Sequence, residues 1–183
     1  MEGYVRVAPL DDFSSGKFTN PSLDLTVATI PLPHYVQVTS IGTASTTVPS
    51  ETDKRCTKVS VFQKKDGKFF ACNTVCPHAG YGLDQGIVMD IEDPMMGKVA
   101  NVVCPVHGWA FNSLTGTSYN ARSIIDIYGV VVAPDPENGG NLTVWCSLLP
   151  VNDDIEGPRR DFGGKVLKYG GDDYLWAGDS DFN

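Results

Sequence analysis

Histidine is scarce in this 183-residue chain, with only His34, His78 and His107. A mononuclear iron site of two histidines and one carboxylate, or a Ser-His-Asp hydrolytic arrangement, would have to draw on those three. No Gly-x-Gly-x-x-Gly or phosphate-loop run occurs, so flavin or nicotinamide binding is not indicated. Basic charge is also short: 14 Lys and Arg stand against 22 Asp and Glu, for a net charge of −8. With no local Lys/Arg cluster, a nucleic acid would repel the chain, and no nucleic-acid partner is expected. An acidic surface serves solubility and equally suits a basic redox partner. No apolar run approaches the length needed to cross a bilayer, so no membrane span is expected. The first six residues carry no basic stretch followed by an apolar one, so no signal peptide is read and a cytoplasmic setting is expected. The five cysteines are odd in number and scattered, which argues against a secreted disulfide framework. Asn141-Leu142-Thr143 matches the glycosylation acceptor pattern, read here as chance.

Also missing is any apolar repeat at helical spacing over ten residues or more. What is present is strand signal. Residues 23–30 and 35–38 read as strands separated by Pro31 and Pro33, after a Ser/Gly/Asn/Asp-rich stretch at 11–20 that reads as loop. Residues 57–62 alternate polar and apolar, Lys65-Asp66-Gly67 is a hairpin turn, and 68–72 is the return strand. Further strands are expected at 99–103, 109–112, 123–132 and 142–146, with turns at 114–117 and 134–140. Many short strands with Gly- and Pro-containing turns predict an all-β protein, an antiparallel β-sandwich or small barrel.

Two segments stand apart: Cys76-Pro77-His78-Ala79-Gly80 and Cys104-Pro105-Val106-His107-Gly108-Trp109. Each follows an apolar strand end and offers one thiolate and one imidazole. Each has a glycine that lets the backbone turn tightly. Four Cys and His ligands suit zinc or an iron–sulfur centre. Structural zinc takes paired ligands separated by two to four residues, which Cys104 and His107 satisfy and Cys76 and His78 do not. A Cys-x-His bite is awkward for one tetrahedral ion. It is comfortable when sulfur and nitrogen belong to different irons of a binuclear cluster.

With this pair of motifs the sequence resembles the Rieske family, whose pattern is Cys-x-His followed by Cys-x-x-His. Cys76, His78, Cys104 and His107 match all four ligand positions, and Gly80, Gly86, Gly108, Trp109, Phe111 and Thr115-Gly116 also fit. The resemblance runs roughly over residues 57–146. It implies a Rieske-like antiparallel β-sandwich with a smaller cluster-binding subdomain of two loops, at 76–80 and 104–109. One [2Fe–2S] cluster per chain is implied, held by Cys76, His78, Cys104 and His107. Residues 1–56 are then an N-terminal extension adding strands to the sandwich, 57–150 the Rieske domain, and 151–183 an acidic extension packing on it.

Two departures bear on function. The 25 residues between His78 and Cys104 exceed the family's usual spacing, and the surplus reads as an elongated hairpin or, through Met95 and Met96, as a docking loop. Pro77 and Val106 stand where Rieske proteins of cytochrome bc complexes carry a disulfide pair. Trp109 stands where those proteins place a hydroxyl that donates to a cluster sulfur. Fewer hydrogen bonds to the sulfurs lower the potential, so the low end of the Rieske range is expected. With two histidines committed to a cluster, His34 alone cannot build a second iron site, and Cys56, Cys72 and Cys146 read as small buried thiols. The expected role is one-electron transfer between redox proteins, as a Rieske-type ferredoxin. The alternatives are the electron-entry component of a multi-subunit oxidoreductase and a structural zinc domain. Catalysis by the chain on its own is not expected.

Overall fold

The computed structural model describes residues 3–20, 25–31, 36–38, 44–46, 58–78, 80–120 and 123–157. His34, Cys56 and most of the C-terminal extension, with the expectation that it packs back on the domain, lie outside the described residues.

Among the described residues, twelve strands and one short α-helix follow in order, with 3-10 turns at Leu83–Gln85 and Pro136–Asn138: β1 (Tyr4–Pro9), α1 (Leu10–Ser14), β2 (Thr19–Asn20), β3 (Leu25–Pro31), β4 (Val36–Val38), β5 (Ala44–Thr46), β6 (Lys58–Gln63), β7 (Phe69–Asn73), β8 (Ile87–Asp93), β9 (Gly97–Val103), β10 (Ala110–Asn112), β11 (Ile127–Asp135) and β12 (Asn141–Pro150). Seven of them form one antiparallel sheet in the order β1-β12-β11-β7-β6-β3-β2, and β10-β9-β8 form a second, smaller one. The all-β, antiparallel architecture expected from the turn and strand signals is the one observed.

The large sheet curls around its own apolar face. Ala8, Ala28, Val59, Val61, Ala71, Tyr128, Val144 and Cys146 come from six strands and share a single buried cluster. Phe13 of α1 plugs it, edge-on to Phe69 at 5.0 Å. The helix is only five residues long, too short to show a helical period, which is why its residues read as loop. Burying a Val or Phe side chain contributes roughly 1.5–3 kcal/mol, so this cluster supplies a large part of the stability.

The small sheet lies on the other face of β6 and β7. Ala100 and Val102 of β9 pack with Phe62, Phe70, Cys72 and Phe111, and Phe62 stacks on Phe70 at 4.8 Å. Both faces of β6 are therefore covered. Ser60, a position the alternation marks as polar and outward, is fully buried. Its hydroxyl is satisfied by Thr74 at 2.9 Å and Thr29 at 3.2 Å, a chain of short polar groups that lets a second layer close over the strand.

The extra length between the two motifs is an elongated hairpin, with β8 and β9 paired from Ile87↔Val103 to Asp93↔Gly97. At its tip, Oδ1 of Asp93 accepts the backbone N–H groups of Met95 and Met96 at 2.8 and 2.9 Å. Those two bonds hold the Asp93 carboxyl below its ordinary range. Its Oδ2 accepts the hydroxyl of Tyr119 at 3.0 Å, tying the hairpin to the segment after β10.

Candidate metal centre

The two motif segments fold into loops of the same construction. In the first, which follows β7, Cys76 N–H donates to the carbonyl of Tyr81 at 2.8 Å and Gly80 N–H donates to the carbonyl of Cys76 at 2.9 Å. In the second, which joins β9 to β10, Cys104 N–H donates to Trp109 at 2.8 Å and Gly108 N–H donates to Cys104 at 2.9 Å. Gly80 and Gly108 both have φ of +71°, the left-handed conformation that such a return requires. The loops are thus equivalent, cysteine for cysteine and glycine for glycine, while the histidine stands at the second position of one and the third of the other.

That offset decides what meets what. The Cys76 and Cys104 thiols, 0% and 1% exposed, are in hydrogen-bond contact and form no disulfide. Contact with Cys76 is the largest influence holding the Cys104 thiol down at about 6. The backbone N–H groups of Val106 and His107 and the charge of His107 act in the same direction, against burial. The thiolate, the form that binds metal, is favoured there. The imidazoles of His78 and His107 meet edge to face, 4.4 Å between centroids. Nδ1 of His78 is shielded from water, where a ring nitrogen needs a hydrogen bond or a metal, while His107 is exposed.

The four residues singled out by spacing are therefore brought together as two like pairs, sulfur with sulfur and nitrogen with nitrogen. A Rieske cluster takes two Cys on one iron and two His on the other, and the donor set, paired sulfur with sulfur and nitrogen with nitrogen, fits that binuclear group.

Trp109 has a role that spacing does not reveal. Its indole lies face-on to the His78 ring, 4.1 Å between centroids and 11° from parallel, and so joins the second loop to the histidine of the first. In the sequence Trp109 shows only as part of the family pattern and as the residue at the loop position of Tyr81, five residues beyond its cysteine; neither points to the stack on His78. The remaining described cysteines lie away from this chemistry. Cys72 is buried in the apolar layer beneath the loops, and burial pushes the Cys146 thiol up to about 12.

No curated protein matches the sequence. Among solved structures, it is similar to a candidate NADH-dependent nitrite reductase small subunit from Mycobacterium tuberculosis, at 20% identity over 78% of this chain and 93% of that one, with a TM-score of 0.48. It is also similar to a chain in the complex of reduced oxygenase and oxidized ferredoxin of carbazole 1,9a-dioxygenase, at 18% identity over 82% and 97%, with a TM-score of 0.44. A third likeness is to a candidate NADPH nitrite reductase small subunit, at 19% identity over 78% and 96%, with a TM-score of 0.47. The family model of the Rieske [2Fe-2S] domain matches residues 34–125, half of the chain and the half that holds both loops. The chain belongs to the Rieske [2Fe–2S] family, and with that membership come a Rieske-type cluster and a role in electron transfer.

Proposed function

We propose that Cys76 and Cys104 bind one iron of the cluster and His78 and His107 the other, and that the chain is a one-electron carrier between two separate redox proteins. The observation that carries the ligand assignment is the like-with-like pairing across two equivalent loops. When bound, the cluster supplies one reversible electron. The protein's own groups do the rest. Backbone N–H groups at Val106 and His107 point at the Cys104 sulfur and stabilise its negative charge. Cys76, Cys104, Leu83, Val102 and Phe111 form a dry floor beneath the site. His107 and Val106 sit at the surface and bring the site within reach of a partner. His34 is the one histidine left over, so a second iron site of two histidines and one carboxylate would need donors from another protein.

The test is the visible and reduced-state EPR spectrum of anaerobically purified protein, with iron and sulfide determined. A red-brown protein with two irons, two sulfides and a Rieske-type signal is expected; a colourless protein holding zinc would overturn the assignment. On the same sample the midpoint potential is expected near the low end of the Rieske range, closer to about −150 mV than to +300 mV. The reason is Trp109, which offers no hydroxyl to a cluster sulfur and whose ring is occupied by its stack on His78. A midpoint well above zero would overturn this expectation. Co-purification of a larger oxidoreductase would favour a dedicated electron-entry component over a free ferredoxin.

A further inference from the structure

We infer that Asn120 is a positioning residue for the cluster, bracing the second loop from outside and, through Trp109, the histidine of the first. The inference rests on the ligand assignment above. Asn120 lies at the surface, where packing does not dictate a side-chain orientation. Hydrogen bonds do. Its Nδ2 donates to the carbonyl of Gly108 at 3.1 Å, and its Oδ1 accepts the backbone N–H of Ala110 at 3.2 Å. One amide thus grips the peptide groups on both sides of Trp109, as a neighbouring strand would. The Ala110 N–H, which only donates, and the Gly108 carbonyl, which only accepts, set the amide the right way round, and the Ser118 hydroxyl reinforces that orientation by donating to Oδ1 at 2.9 Å. The Asn120 backbone N–H donates back to the Ser118 hydroxyl at 3.4 Å.

On the inner side, the Trp109 carbonyl accepts Cys104 N–H at 2.8 Å. The backbone of Trp109 is therefore held from two directions, which fixes the point from which its indole reaches the His78 ring 4.1 Å away. The line of contact runs from Asn120 to the backbone at 108–110, to the Trp109 indole, to His78. Asn120 itself is not expected to touch the cluster; it acts through the loop.

The experiment compares the full-length protein with Asn120→Ala, Asn120→Asp and Ser118→Ala. Asn120→Ala is expected to shift the g values of the reduced cluster and to speed its bleaching by a chelator about tenfold, the effect of losing one or two hydrogen bonds. Asn120→Asp keeps both acceptor contacts but turns an oxygen toward the Gly108 carbonyl, so it is expected to be at least as severe. Ser118→Ala is expected to give the same shift at smaller amplitude, and it carries the test if Asn120→Ala does not fold. A global loss of stability would not move the g values. Hydrogen exchange of the 108–112 segment, measured by mass spectrometry, is expected to quicken about tenfold in Asn120→Ala whether or not a cluster is bound. That readout separates failure of the brace from failure of the ligand assignment. Wild-type g values, bleaching rate and exchange in both Asn120 variants would overturn the inference.

Discussion

Replacement of Cys104 by alanine is expected to abolish the iron, the sulfide and the visible absorption, while Cys72→Ala and Cys146→Ala retain all three. All three side chains are buried thiols of one size, and nothing in composition separates them. Their surroundings do. Cys104 meets a second thiol, two backbone N–H groups and an imidazole, and is held at about 6. Cys146 lies among apolar strand residues, with only the neighbouring Ser147 carbonyl to donate to at 3.6 Å, and burial drives it up to about 12, so it stays a neutral thiol. Cys72 donates to the neighbouring carbonyl of Asn73 at 3.4 Å and otherwise fills space under the loops. Trimming a buried cysteine to alanine removes one sulfur atom and costs about 1 kcal/mol in packing, which a folded domain survives. Removing a ligand leaves an iron without its fourth donor, and the cluster does not assemble. His107→Ala is expected to behave as Cys104→Ala does. The measurement is iron per chain with the absorption spectrum, beside far-ultraviolet circular dichroism to show that each variant is folded. Full iron in Cys104→Ala, or none in Cys146→Ala, would mean that the sulfur donors have been misassigned.

The contrast shows what could be read from the chain and what could not. Cys76, His78, Cys104 and His107 are legible because each pair lies within one short loop, so its spacing is a local property. Strand positions with one covered face are legible for the same reason. Ser60 misleads because β6 is covered on both faces, and the second cover arrives from β9, some forty residues further along. The elongated hairpin is visible as surplus length, but its anchor is not: Asp93 and Tyr119 meet only after β8, β9 and β10 have paired. Trp109 and Asn120 illustrate the same limit at the site. The indole matters for the imidazole it covers, thirty-one residues earlier, and the amide for a backbone that bends back toward it. Neither contact has a period or a spacing rule behind it.

The largest expected effect on stability, as opposed to cluster content, comes from a single methyl group at Gly116. This residue sits in the turn after β10 with φ of +74°. A Cβ there would lie 2.0 Å from the Ile125 carbonyl oxygen and 2.7 Å from Nδ2 of Asn152. Neither neighbour can step aside. The Ile125 carbonyl accepts from Asn152 Nδ2 at 3.0 Å, and Ile125 N–H donates to the Gly116 carbonyl at 3.0 Å. The Asn152 amide also donates to the Thr115 carbonyl at 2.8 Å and accepts Ile127 N–H at 2.9 Å, so it joins the turn to the start of β11. Gly116→Ala must therefore break a buried polar junction as well as strain one residue. Gly67 provides the comparison, because its φ is +81° but nothing lies within 4 Å of the added carbon. Gly67→Ala should cost only the left-handed backbone penalty, about 1–2 kcal/mol. Gly116→Ala should cost about 4 kcal/mol, at the severe end for a point substitution. For a chain of this size that corresponds to a fall in Tm of about 10 °C. Urea unfolding of both variants, with the cluster content matched, measures the difference directly. A Gly116→Ala protein no less stable than Gly67→Ala would mean that the Asn152 junction yields, and that the floor behind the second loop is softer than its hydrogen bonds indicate.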